Sequence, residues 1–260
     1  MVRVGIGGWT YPPWRGSFYP AELPQRCELQ YAASRLGSIE INATYYRLQK
    51  PESFARWRDA APADFVFTVK ASRYCTNRKR LAEAGESVMK FLDQGLVELG
   101  EKLGPILWQL APTKRFEAGD LEAFLKLLPD AHEGLRLRHA LEVRHQSFAA
   151  PEFVELMRAR GAAIVVADHD EHPQIADPTA GFVYARLMRA RAAVKSGYPG
   201  AGLDKWARIA KSWADGHAPE GLSYRAGKAG AAKGHDVFVF MIDGAKERAP
   251  SAALALIERL

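Results

Sequence analysis

Strand-like and helix-like periods alternate along the whole of this chain, and that alternation constrains its fold more than any single motif. Eight short apolar runs read as strands: VRVGIGGW (2–9), SIEIN (38–42), FVFTVKA (65–71), PILWQLA (105–111), RHALEVRH (138–145), AAIVVAD (162–168), GFVYARLM (181–188) and DVFVFMI (236–242). Most are rich in β-branched and aromatic residues and end at Gly, Pro or polar residues. Segments of helical spacing lie between them: LQYAASRLG (29–37), ESFARWRDA (52–60), ESVMKFLDQGLVELG (86–100), GDLEAFLKLLP (119–129), PEFVELMRARG (151–161), LDKWARIAKSWADG (203–216) and the terminal APSAALALIERL (249–260). Seven of the eight links contain a clear helix, and the sixth, HDEHPQIADPT (169–179), contains none. Strands that alternate with helices build parallel sheets. Eight such units in 260 residues predict a single α/β domain over residues 1–260, a (β/α)8 TIM-like barrel, with a doubly wound open sheet as the alternative. No Pro/Gly/Ser-rich linker divides the chain.

Composition excludes several classes. Hydrophobic residues make up 48% of the chain and charged residues 25%, enough for a sizeable core without staples. No run of about 18 apolar residues is present, so neither a membrane span nor a membrane partner is expected. Cys27 and Cys75 form neither a disulfide framework nor a metal motif, which points to a reducing cytoplasm. The net charge of +6 is spread along the chain without a basic tail. It suits an anionic partner without singling out nucleic acid.

In a barrel the active site lies at the C-terminal ends of the strands, so each strand can be read at its last inward residues with a period of two. Strand by strand, these ends offer Glu40 and Asn42, Thr68 and Lys70, Gln109, Glu142 and Arg144 followed by His145, Asp168 and His169, Tyr184 and Arg186, and finally Asp243. Burying a charge without a partner is expensive. Apolar strands that each finish in a charged or amide residue therefore imply a shared polar centre. Glu40, Glu142 and Asp168 have the chemistry of a general acid, base or nucleophile. Lys70, Arg144 and Arg186 have the chemistry to hold a carboxylate or phosphate. The opening stretch GIGGWTYPPWRGSFYP (5–20) becomes the first strand and the loop after it. Trp9, Tyr11, Trp14 and Tyr19 would wall the polar centre, either stacking on a ligand or plugging the loop onto the rim.

Weaker signals are also present. His169 and His172 form an H-x-x-H pair beside Asp168 and Asp170, so a divalent metal is a possible cofactor, although no metal motif is complete. GIGGWT lacks the third Gly and the following helix of a dinucleotide fingerprint. GLSYRAGKAG (221–230) lacks the Ser/Thr of a P-loop and reads as a surface loop. The loop after the seventh strand, residues 189–202, carries Arg189, Arg191 and Lys195 on the mouth side, where barrel phosphate sites often lie.

The stretches GIGGWTYPPWRGSFYP, IEINATYY, FVFTVKASRY, KLGPILWQLAP, LEVRHQSF and APSAALALIERL resemble the YecE-like family, known as domain of unknown function 72. The resemblance runs over nearly the whole chain. It implies a TIM-like barrel and supplies no reaction. It also implies functional positions at Gly8, Trp9, Tyr11, Trp14, Tyr19, Glu40, Asn42, Thr44, Tyr46, Lys70, Gln109, Glu142, Arg144, His145, Asp168 and Arg186. Three stretches depart from the family pattern. Thr76-Asn77 stands where Thr-His is usual, RLMRAR where Arg-Leu-His-Gly is usual, and MIDG where an Asn/Asp-rich strand end is usual.

The resulting expectation is a cytoplasmic barrel enzyme of hydrolase or isomerase/lyase type, acting on a small anionic molecule. Glu142 is its expected leading acid/base, with Glu40 or Asp168 as partner. Lys70, Arg144 and Arg186 hold the anion, while Asn42 and Gln109 orient it. The alternatives are a nucleic-acid-binding protein or phosphodiesterase, and a non-catalytic ligand sensor.

Overall fold

The structure is a computed structural model that describes residues 1–228 and 234–260. Eight parallel strands close into a barrel: β1 (Val2–Gly7), β2 (Ser38–Ile41), β3 (Val66–Lys70), β4 (Leu103–Gln109), β5 (His139–Glu142), β6 (Ala163–Asp168), β7 (Phe182–Leu187) and β8 (Asp236–Met241). Each strand pairs with its sequence neighbours, and β1 meets β8 with Val2 opposite Val237 and Ile6 opposite Met241. The predicted TIM-like barrel is therefore the observed fold, and closure rules out the open sheet. Both faces of such strands are buried, which explains their near-continuous apolar runs.

With one exception, the helices fall where the periodicity put them. The main ones are α1 (Glu28–Ala33), α3 (Pro51–Asp59), α5 (Gly85–Leu92), α6 (Ala118–Lys126), α7 (Pro151–Arg160), α8 (Gly200–Ala214) and α9 (Ala249–Ile257). Two single turns, α2 (Ala43–Tyr46) and α4 (Arg73–Thr76), follow β2 and β3 directly. Helix α7 shows the local logic: Pro151 starts it, and Gly161 ends it at φ +67°. As expected, no helix is found between β6 and β7.

The long helix expected over residues 86–100 is a correction. Helix α5 stops at Leu92, and a 3-10 segment covers Leu96–Lys102. Gly95 sits between them at φ +102°, where an added Cβ would stand 2.7 Å from the Pro51 Cα. The left-handed backbone at Gly95 does not continue a helix, and the missing Cβ lets it lie close to the start of α3. A two-residue hairpin, Ala131–His132 with Leu135–Arg136, turns through Glu133 and Gly134 at positive φ. In the link after β6, Asp177 accepts the Arg225 and Ala226 amides, both at 2.7 Å. That contact anchors the stretch read as a surface loop, whose residues 229 and 230 lie outside the described residues.

Two apolar layers position the mouth. Outward side chains of the strands pack under the helices. Inside the barrel, Val66, Leu107, Ala140, Val165, Phe182, Tyr184, Phe238 and Phe240 fill the lumen. Above this plug the inward positions turn polar. Among the described residues no helix is long and apolar enough to cross a membrane.

Candidate functional site

The polar layer is built around Arg186, which is buried on β7. Its Nη2 and Nε donate to the two oxygens of Glu40 on β2, at 3.1 and 3.2 Å. Its Nη1 donates to Glu142 on β5. Glu142 also accepts Arg144 Nε at 2.6 Å and Gln109 Nε2 at 2.9 Å. Tyr184 donates its hydroxyl to Glu40 Oε2 at 2.7 Å, and Thr68 donates in turn to Tyr184 at 3.0 Å. The period of two makes this network possible, because Tyr184 and Arg186 share one inward face.

Burial works against the Glu142 charge, but Arg186 and Arg144 outweigh it and hold the carboxyl down at about 2. Burial also works against the Arg186 charge, yet Glu142 and Glu40 keep it firmly protonated. Breaking such a pair strands a charge in the interior, so the network is self-enforcing.

Above it opens a cavity of about 580 Å³, within the usual range for small-molecule sites. Its floor includes Lys70, Gln109, Arg144 and Arg186, and its wall includes Gly8, Trp9, Trp14, Asn42, Tyr45 and Tyr46. Lys70 is only 9% exposed, and its Nζ lies 4.2 Å from the centre of the Tyr45 ring. Burial, with help from Arg186 and Arg144 and against Glu40 and Glu142, pushes its ammonium down to about 8. Thr44 Oγ1 donates to the Lys70 carbonyl at 2.7 Å and pins the end of β3.

The aromatic stretch after β1 divides between wall and plug. Trp9 and Trp14 touch the cavity, while Tyr11 and Tyr19 do not. Buried Tyr19 donates to the Trp9 carbonyl at 2.6 Å, and burial raises its hydroxyl pKa. Trp14 Nε1 donates to the Lys246 carbonyl at 2.9 Å, which fastens this loop to the one after β8. Gly7 brings the strand end close to the mouth: an added Cβ would stand 2.6 Å from the Ile242 Cδ1 and 2.9 Å from the Asn42 Nδ2, side-chain tips that would have to shift to admit it.

Of the expected site residues, Trp9, Trp14, Asn42, Tyr46, Lys70, Gln109, Arg144 and Arg186 line the cavity. Glu40, Glu142, Asp168, Tyr11, Tyr19 and His145 do not. The two glutamates lie behind the cations. Asp168 accepts the Tyr198 hydroxyl at 3.0 Å, and burial raises its pKa against that bond and Arg189. His145 caps a 3-10 turn by accepting the Ser147 amide. Arg189 turns toward Asp168 and Asp170, and neither Arg191 nor Lys195 reaches the cavity. His169 and His172 stack with ring centres 3.7 Å apart, and among the described residues no three His, Cys, Asp or Glu side chains gather as a ligand set. Cys75 is buried, and burial pushes its thiol up to about 12.

The sequence reading missed Tyr45 and Lys246. Lys246 projects from the loop after β8, with its Nζ 4.5 Å from the centre of the Tyr11 ring. Its mouth-side position was the only available signal.

Comparison with known proteins agrees with this architecture. UPF0759 protein YunF of Bacillus subtilis is 27% identical over 186 residues, covering 68% of this chain and 63% of that protein. UPF0759 protein YecE of Escherichia coli K12 is 29% identical over 164 residues, covering 62% and 55%. The matched part is thus less than two thirds of either relative's length. A DUF72 family protein from Thermotoga maritima superposes with a TM-score of 0.74 at 22% identity, covering 99% of this chain and 98% of that one. One from Enterococcus faecalis gives 0.72 at 18% identity, covering 100% and 95%. The family model described as "Protein of unknown function DUF72" matches residues 3–260, and the chain belongs to the DUF72 family.

Proposed function

We propose that the barrel mouth binds a small carboxylate- or phosphate-bearing molecule, and that the protein is an enzyme of hydrolase or isomerase/lyase type acting on it by proton transfer. One observation carries this reading: Lys70, Arg144 and Arg186 face the cavity, while the carboxylates that balance them lie behind it. Arg144 commits Nε to Glu142, and among the described residues its terminal nitrogens donate no hydrogen bond. Those donors are free for a planar anion. Glu142 and Glu40 act as counter-ions that orient the guanidinium groups. The proton-exchanging group nearest neutrality on the floor is Lys70. Two free cysteines suit a cytoplasmic location.

Thermal denaturation with oxalate, phosphate and neutral oxamide tests this reading, because a ligand that prefers the native state raises the midpoint. The anions are expected to stabilise the protein and oxamide is not. Arg144→Gln is expected to weaken anion binding by about tenfold or more, as for a charge-assisted hydrogen bond. Equal effects of all three compounds, or an unchanged response in the variant, would count against the reading.

A second reading, a nucleic-acid-binding protein or phosphodiesterase, is favoured by Tyr46 and Tyr74, both exposed on the mouth side, with the Arg73 guanidinium over the Tyr74 ring. Exposed aromatics beside cations suit unstacked bases. Salt-dependent binding of a labelled single-stranded oligonucleotide would support it, and no binding at low salt would remove it.

A further inference from the structure

The floor network uses both glutamates, both arginines and Gln109, and it leaves one reactive group over. Among the described residues, Lys70 Nζ forms no ion pair and no hydrogen bond; its neighbour is the Tyr45 ring. We propose that Lys70 is a nucleophile that forms an imine with the carbonyl of a small 2-oxo carboxylate whose charge is held by Arg144. The proposal rests on the anion-binding reading and narrows it, because a protonated imine withdraws electrons from adjacent C–C and C–H bonds. That is lyase or isomerase chemistry rather than hydrolysis.

Three features of the site support this role. The first is position: Lys70 ends β3, its backbone is pinned by Thr44, and its stem is buried between strands, so the amine enters the cavity at a defined point. The second is environment. A lysine becomes nucleophilic at neutral pH when it is desolvated or placed near other cations, and Lys70 is both. With its ammonium held at about 8, about a tenth of the amine is free at pH 7. The third is the division of labour. Both carboxylates accept several donors, so neither captures the amine as a salt bridge, and the terminal nitrogens of Arg144 beside it remain to bind the substrate carboxylate. Lys246 also borders the cavity, but it is exposed on the rim.

The step balances without a further reagent. The neutral amine adds to the carbonyl carbon, and a proton passes from nitrogen to oxygen to give a carbinolamine. Protonation of its hydroxyl releases one water as the nitrogen lone pair forms the C=N bond. Hydrolysis reverses each step.

Borohydride trapping tests the proposal, since hydride converts the imine to a stable secondary amine. The protein is incubated with pyruvate or glyoxylate, reduced, and examined by intact mass and peptide mapping. The expected result is one adduct per chain on the peptide containing Lys70, with a trapping rate that rises with pH through about 8. Excess oxalate is expected to protect it, and Lys70→Arg to abolish it. Adducts scattered over surface lysines, an adduct at Lys70 that oxalate leaves untouched, or no adduct with either 2-oxo acid would overturn the proposal. Oxalate-induced stabilisation of the unmodified wild-type protein is read separately. If it is present without trapping, the imine fails and the anion site stands; if it is absent too, both fail.

Discussion

Arg186 on β7 reaches across the barrel to Glu40 on β2, with Nη2 3.1 Å from Oε1 and Nε 3.2 Å from Oε2. The same guanidinium holds Glu142 on β5, so one side chain ties three strands together above the apolar lumen. Removing it leaves two buried carboxylates without their main counter-charge. Arg186→Met is expected to destabilise the protein by about 3–5 kcal/mol, as for other broken buried pairs. Urea unfolding measures this. A loss of under about 1 kcal/mol would mean that water or local relaxation replaces the pair.

Glu142 links the same network to acid stability. Its folded pKa of about 2 lies below its ordinary 4.5. A depressed carboxyl contributes stability that is fully present above the ordinary value and is lost as pH falls through the folded one. Between pH 4.5 and 2 the loss should reach about 3 kcal/mol. Glu142→Gln should flatten the pH dependence of the denaturation midpoint across that window, while lowering stability at neutral pH because two guanidinium groups lose their partner.

His139 opens a second acid window, one that begins closer to neutrality. Trp108 Nε1 donates to its Nδ1 at 3.1 Å, and its Nε2 donates to the Pro129 carbonyl at 2.8 Å. This arrangement requires the neutral ring. Burial, only partly opposed by the Pro129 bond, pushes the pKa from 6.5 to about 4. The unfolded chain therefore binds the extra proton first, and stability should fall as pH drops from 6.5 to 4. Unfolding curves of His139→Gln should lack that slope while the Glu142 window remains.

Gly5 packs directly against the backbone of β2. An added Cβ would stand 2.1 Å from the Ser38 carbonyl oxygen and 3.0 Å from the Phe240 ring. Backbone on β2 must move to admit it. Gly5→Ala is expected to destabilise by about 1–3 kcal/mol or more through overpacking. Gly119→Ala, where nothing lies within 4 Å, serves as the matched control and should be near neutral. Comparable unfolding midpoints for the two variants would contradict this reading of β1.

The strands were legible because each is buried on both faces and carries an apolar run of strand length. Even the helix-free link after β6 could be read from HDEHPQIADPT. The split of the 86–100 segment could not. Gly95 takes left-handed backbone there and lies close to Pro51, a neighbour distant in sequence. The site was legible as a set of polar strand ends except on β6, where Val165 fills the lumen and the period of two turns Asp168 the other way. Its depth order was not. Glu142 and Arg144 look alike on one strand face, yet the glutamate lies behind the cavity and the arginine lines it.

The sequence by itself determined the number and order of the strands and most of the helices between them, because both follow from local periodicity and chain length. Only the tertiary structure decided which charges meet. Closing the barrel brings β2, β5 and β7 to one centre, where carboxylates saturate themselves with arginine donors because desolvation penalises any that do not. Lys70 is left facing the cavity without an acidic partner among the described residues, and no local pattern in FVFTVKA foretells that.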